Sequence, residues 1–112
     1  MAESKEEQIQ KLQLLEQNLQ NYLAQRQQFQ SQMIEIDSAL AELENQTSAY
    51  KIVGNIMVSV KKEELESDLT KKKEIIELRI KNIEKQENLI RQKAKAIQEE
   101  VMKAMDNKSD DN

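Results

Sequence analysis

A chain of 112 residues with one glycine, no proline, 34% charged and 3% aromatic residues has little material for a broad globular core, but nothing in it obstructs long unbroken helices. With neither cysteine nor histidine it offers no thiol nucleophile, no imidazole base, no disulfide and no zinc site of the usual ligand set, so no cofactor, metal or catalytic residue is expected. A net charge of −4 with mixed signs argues against nucleic acid as the main ligand, and a polar, acidic start from Met1 to Ile9 carries neither a signal peptide nor a membrane span, so a cytoplasmic location is expected.

The first element is a helix expected over residues 5–46. From Ile9 to Leu43 the apolar residues recur every seven. Leu12, Leu19, Arg26, Met33 and Leu40 fall at the a positions, and Leu15, Tyr22, Phe29, Ile36 and Leu43 at the d positions, all apolar except Arg26. So narrow a stripe buries one seam, which is coiled-coil geometry and not the wider face of a globular helix.

The helical code then breaks. Ala49-Tyr50-Lys51-Ile52-Val53-Gly54-Asn55-Ile56-Met57-Val58-Ser59-Val60 is rich in β-branched residues and holds the one glycine. Gly54-Asn55 is a two-residue hairpin signal, because turns that match strand twist need positive φ, which Gly and Asn tolerate best. The hairpin is expected over residues 49–60, with strands Ala49 to Val53 and Ile56 to Val60. Val53 would face Ile56 and Lys51 would face Val58 on one side, with Ile52 facing Met57 on the other. Helical hairpins are usually joined by roughly two to eight residues, fewer than this segment alone contains. A lone two-stranded hairpin is marginal in water and leaves open edges, so Tyr50, Ile52, Val53, Ile56, Met57, Val58 and Val60 should be covered by hairpins of other chains, making the protein an obligate oligomer.

A second helix is expected over residues 63–105, with Leu69, Ile76, Ile83, Ile90, Ile97 and Ala104 at d and Glu66, Lys73, Ile80, Glu87, Ala94 and Val101 at a. Folding back antiparallel sets Leu12 with Ile97, Leu15 with Ala94, Leu19 with Ile90, Phe29 with Ile80, Met33 with Ile76 and Leu40 with Leu69. A slip of one heptad would preserve the same a-to-d pairing. Each arm of roughly 40 residues would be about 60 Å long. Arg26 would lie one layer from Glu87; snorkelling to water is the favoured reading, and an ion pair that fixes the register is the other. Glu66 and Lys73 would escape burial if the helices splay near the bend, while Lys61, Lys62 and Lys71 to Lys73 read as a solvated face. The tail, residues 106–112, is polar and patternless and is expected to be disordered.

At this point the residues resemble a known family. The stretch from Ala49 to Val58 is similar to the hairpin of β-class prefoldin subunits, where a Tyr-Lys-x-Val-Gly stretch recurs, and Glu77 to Glu87 resembles the start of that family's second helix. The likeness covers about Ile9 to Met105, and the chain has room for one hairpin where α-class members carry two. The resemblance implies a single prefoldin-like subunit over residues 1–112: a mainly α chain, an antiparallel two-helix coiled coil whose one β-hairpin joins an intersubunit β-barrel. It implies an α2β4 hexamer with an α-class partner, holding non-native client proteins at the coiled-coil tips and passing them to a group II chaperonin without nucleotide. The chain has no Gly-rich phosphate loop, which agrees.

Both termini would lie at one end of the folded arm, gathering Ile9, Leu12, Leu14, Leu15, Ile97, Val101, Met102 and Met105. Ile9, Leu14, Met102 and Met105 fall outside the seam, and flexible Met side chains suit varied apolar surfaces. These eight are the expected client-binding residues, although they could simply close the end of the coil. The acidic group Glu99, Glu100, Asp106, Asp110 and Asp111 could meet a basic patch on a chaperonin; solvation is the simpler account. The rival function is a structural adaptor recognising one specific partner. An enzyme is not expected, since charges on a thin rod have no dry concave site to tune their pKa values.

Overall fold

The computed structural model describes residues 4–110, with side chains described as far as Met105. Four elements follow in order: α1 (Lys5–Glu44), β1 (Ala49–Val53), β2 (Ile56–Val60) and α2 (Lys62–Asp110). They form two compact units. A terminal unit comprises Met1–Arg26 with Asn82–Asn112, and a hairpin unit comprises Gln27–Lys81.

The start of α1 is set by Ser4. Its Oγ accepts a hydrogen bond from the Glu7 backbone N–H at 3.2 Å, and Glu6 and Glu7 place negative charge against the positive end of the helix dipole. The end of α1 comes at Glu44, short of the expected Gln46, because Asn45 and Gln46 bond back three residues, to Glu42 and Leu43, in tighter 3₁₀ fashion. The last turn of α1 holds no basic residue of its own. The missing cation comes from the other helix: Lys62 Nζ donates to the Glu44 carbonyl at 3.1 Å.

In the hairpin unit, the strands pair antiparallel with Ala49 opposite Val60, Lys51 opposite Val58, Ile52 opposite Met57 and Val53 opposite Ile56. Gly54 takes φ +62, and no other described residue has positive φ. That pattern, positive at the first turn position alone, is of the II′ kind, one of the two turns that the Gly54-Asn55 signal allows. Ala49, 3% exposed, anchors the base of the hairpin, while the strand residues beyond it up to Ser59 are open to solvent.

The two long helices run antiparallel within each unit. In the hairpin unit Asp37 meets Lys73 and Phe29 meets Arg79; in the terminal unit Arg26 meets Glu87 and Gln8 meets Glu100. As the α1 number falls, the α2 number rises. The pairing of Met33 with Ile76 and Phe29 with Ile80 is the register that brings these groups together; a slip of one heptad would part them by about 10 Å. Every a and d residue from Leu12 to Val101 is buried or half-buried, and Ala104 alone of the seam is exposed.

The polar seam residues are satisfied by partners and not by escape to water. Arg26 Nε donates to Glu87 Oε1 at 2.7 Å and its Nη2 donates to Oε2 at 3.4 Å, which overturns the snorkelling reading. The reason is reach: a guanidinium fork extends one layer along the seam and matches a carboxylate bidentately. Glu87 is 1% exposed and receives a further bond from Arg91, one turn on, at 3.4 Å. Lys73 Nζ stands 2.8 Å from Asp37 Oδ1, and that hydrogen bond, helped by the Asp37 charge, raises the Lys73 pKa above its usual 10.5. Lys62 lies 3.9 Å from Glu66. Lys62, Glu66 and Lys73 are therefore half-buried and paired, so neither helix splaying nor a freely solvated Lys62 and Lys73 describes them.

One expectation about the tail also changes. The helix α2 continues to Asp110, so residues 106–110 are helical where disorder was expected, while Asp111 and Asn112 lie outside the described residues. With no Gly or Pro after Gly54, nothing in the sequence stops the helix at Met105.

Candidate functional site

Both units carry uncovered apolar groups. In the hairpin unit most of them stand on the strands, with Ile34, Ile75 and Leu78 exposed on the helices besides. Tyr50, Ile52, Val53, Ile56, Met57 and Val58 are all exposed, Ile52 to 70%, and Val60 is half-buried where β2 nears α2. Alternation along each strand puts Val53, Ile56 and Val58 on one face and Ile52, Met57 and Tyr50 on the other, so both faces are apolar. The outer backbone edges of β1 and β2 have no partner strand among the described residues.

In the terminal unit the uncovered groups stand on helices. Ile9, Leu14, Met102 and Met105 are exposed, Met102 to 65%, whereas Leu12, Leu15, Ile97 and Val101 are half-buried in the seam. The division follows heptad position. The a and d residues are covered by the facing helix, and the e, b and c residues are not. Their backbone groups are spent inside the helices, so only side chains are offered. The end is tied by Gln8 Nε2, which donates to Glu100 Oε2 at 3.1 Å across the two helices.

Grooves flank the seam here on both sides. One is rimmed by Glu16, Arg91, Lys95 and Gln98 over Leu15, Leu19, Ile90 and Ala94. Another, with almost wholly apolar walls, is lined by Lys11, Leu14, Leu15, Lys93, Ala96 and Ile97. Lys93 and Ala96 were not among the residues picked from the sequence. The signal was present, since they occupy g and c positions beside Leu14, also at c, but it is visible only once the register is fixed. Of the acidic group, Glu99 and Glu100 are exposed; the side chains of Asp106 and Asp110 and the whole of Asp111 lie outside what is described. Among the described residues no helix is long and apolar enough to cross a membrane.

These features define a class: two long helices paired antiparallel within each unit, one open β-hairpin between them in the chain, and uncovered apolar side chains in the terminal unit. The model of the prefoldin subunit family matches residues 6–108. The prefoldin subunit beta of Archaeoglobus fulgidus is 38% identical over 96 residues, 83% of each chain, and that of Sulfurisphaera tokodaii is 38% identical over 97 residues, 84% of this chain and 78% of the relative. The crystal structure of the prefoldin beta subunit from Thermococcus strain KS-1 superposes with a TM-score of 0.84 at 28% identity, covering 88% of this chain and 90% of that one. The chain belongs to the prefoldin family, a family of chaperones, and the likeness to β subunits first seen in the residues from Ala49 to Val58 extends over most of its length.

Proposed function

We propose that the chain is a β-class subunit of a cytoplasmic holding chaperone, which binds non-native proteins at its terminal unit and passes them to a group II chaperonin without nucleotide. The observation that carries this reading is the separation of two kinds of uncovered apolar surface. The strand surface, rigid and edged with free N–H and C=O groups, suits joining to other hairpins, with two α-class and four β-class subunits closing into β-barrels. The helical surface at Ile9, Leu14, Met102 and Met105 has no free backbone to template a strand, and its Met and Leu side chains adapt to whatever apolar segment they meet. One arm would hold a client weakly. Several arms on one client convert later contacts into intramolecular ones, which raises avidity by roughly a hundredfold or more.

The experiment is to assemble the chain with a two-hairpin partner subunit, with and without residues 1–15 and 101–112, and to follow the aggregation of several unrelated denatured proteins by light scattering. The intact complex should suppress aggregation at stoichiometric amounts. The truncated complex should assemble to nearly the same size and fail to suppress. Undiminished suppression after truncation would refute the placement of client binding at this end, and suppression limited to one substrate would point to a dedicated adaptor. If Glu99 and Glu100 meet a basic chaperonin surface, that contact should weaken as added salt shortens the screening length.

A further inference from the structure

The grooves on the two sides of the seam in the terminal unit differ in charge, and the difference follows heptad position. Between Gln10 and Gln25 on α1, and between Asn82 and Ala96 on α2, the c, f and g positions hold Lys11, Lys85 and Lys93 and no carboxylate. The carboxylates of these stretches stand elsewhere, Glu16 and Glu84 at e and Glu87 in the seam. The groove on the c and g side is therefore apolar with a wholly basic rim: Leu14, 58% exposed, forms one wall, Ala96 the other, Leu15 and Ile97 the floor, in an open volume of ≈ 380 Å³. Leu89, also exposed, extends the apolar wall two turns from Ala96 on the same helix. Lys93 makes no hydrogen bond or ion pair among the described residues, whereas Lys11 has a partner of its own, so Lys93 is the charge that a guest meets. The first carboxylates beyond Lys93 on this side are Glu99 at f and Glu100 at g, about one heptad away, and Glu100 already accepts from Gln8. The opposite groove mixes Glu16 with Arg91 and Lys95 and shows no single sign.

We propose that the groove between Leu14 and Ala96 receives apolar client segments that carry carboxylates beside their apolar residues, with Lys93 reading the charge; this rests on the placement of client binding at the terminal unit. The apolar floor supplies the attraction common to all clients, through area removed from water. The basic rim supplies the choice among them: an acidic flank is drawn to Lys93, and a basic flank is repelled by it and by Lys11. Ala96 matters by being small, since a larger side chain there would fill the space over Ile97.

The test uses the full chain assembled with its two-hairpin partner and two labelled synthetic peptides, identical in their Leu and Val residues, one flanked by Glu and one by Lys. Binding is read by fluorescence anisotropy. The Glu-flanked peptide should bind about threefold to fivefold more tightly at low salt, the scale of one exposed ion pair, and the margin should shrink as salt is added. Lys93→Glu should invert the preference, and Leu14→Ser and Ala96→Gln should weaken both peptides while circular dichroism shows helix content unchanged. Equal binding of the two peptides, or a preference that survives Lys93→Glu, would overturn the proposal. A parallel complex carrying Met102→Ser and Met105→Ser separates the two levels. If that change abolishes suppression of aggregation and Leu14→Ser does not, the groove assignment falls and the terminal-unit reading stands; if neither changes suppression, both fall.

Discussion

The hairpin and the terminal unit expose apolar side chains in opposite ways. On the hairpin itself the open residues are mostly β-branched, held on strands whose free edges dictate the geometry of any partner. In the terminal unit they are chiefly Leu and Met on helices that have already used their backbone groups. A surface of the first kind recognises another strand in one register, whereas a surface of the second kind accepts many shapes poorly and none uniquely. The difference teaches that exposure alone does not name a function: the backbone beneath the side chain decides whether a patch assembles or adapts.

The largest effect should come from the buried pair that holds the terminal unit in register. Arg26→Ala leaves Glu87, 1% exposed, with only the longer contact from Arg91, and should cost about 3 to 5 kcal/mol, read by urea unfolding followed by circular dichroism. The double change Arg26→Met with Glu87→Leu removes both charges and should leave stability equal or higher, by up to about 4 kcal/mol. A single change without cost would mean that the seam near Glu87 is wet.

The hairpin unit answers to a different readout. Ile52→Glu with Met57→Glu places two facing carboxylates on one sheet face and should drop the sedimenting mass of the assembly toward that of the monomer, since each lost apolar burial is worth about 1.5 to 3 kcal/mol. Helix content should change little, which would separate assembly from folding. If the mass holds, that face is not the joint.

Gly54 sharpens the comparison further. No atom lies within 4 Å of a Cβ built there, so Gly54→Ala meets no clash and should act through its φ of +62 alone, at about 1 to 2 kcal/mol. That cost should appear as weaker assembly, measured by the dilution at which the complex dissociates.

The smallest effect concerns Lys73. Its pKa is raised by the hydrogen bond and charge of Asp37, so the contact contributes fully below pH 10.5 and its contribution is lost as pH rises through the raised value. Asp37→Asn should flatten that alkaline loss in thermal melts while altering stability near neutrality only slightly, as solvent-screened pairs do.

Much of this architecture was legible in residue order. The seam was visible because a seven-residue period leaves no other face apolar, and the hairpin because β-branched residues crowd around one glycine. The ion pair at Arg26 was visible only as one of two options, since heptad position says that a side chain enters the seam but not how far along it reaches. The end of α1 was missed by two residues, where a 3₁₀ turn carries no signature of its own. The helical stretch from Asp106 to Asp110 was missed because polarity was read as absence of structure, although no helix breaker stands there. In the terminal unit the apolar residues could be named from the sequence, but Lys93 and Ala96 could not, because a groove belongs to two helices and needs their register.

Hydrogen exchange on the assembled complex, with and without a denatured client, tests the division of labour between the two units most directly. New protection confined to residues 9–15 and 97–105, on a hairpin over 49–60 that is already protected before client is added, is the predicted result. Client-dependent protection in the hairpin, with none at the terminal unit, would contradict it.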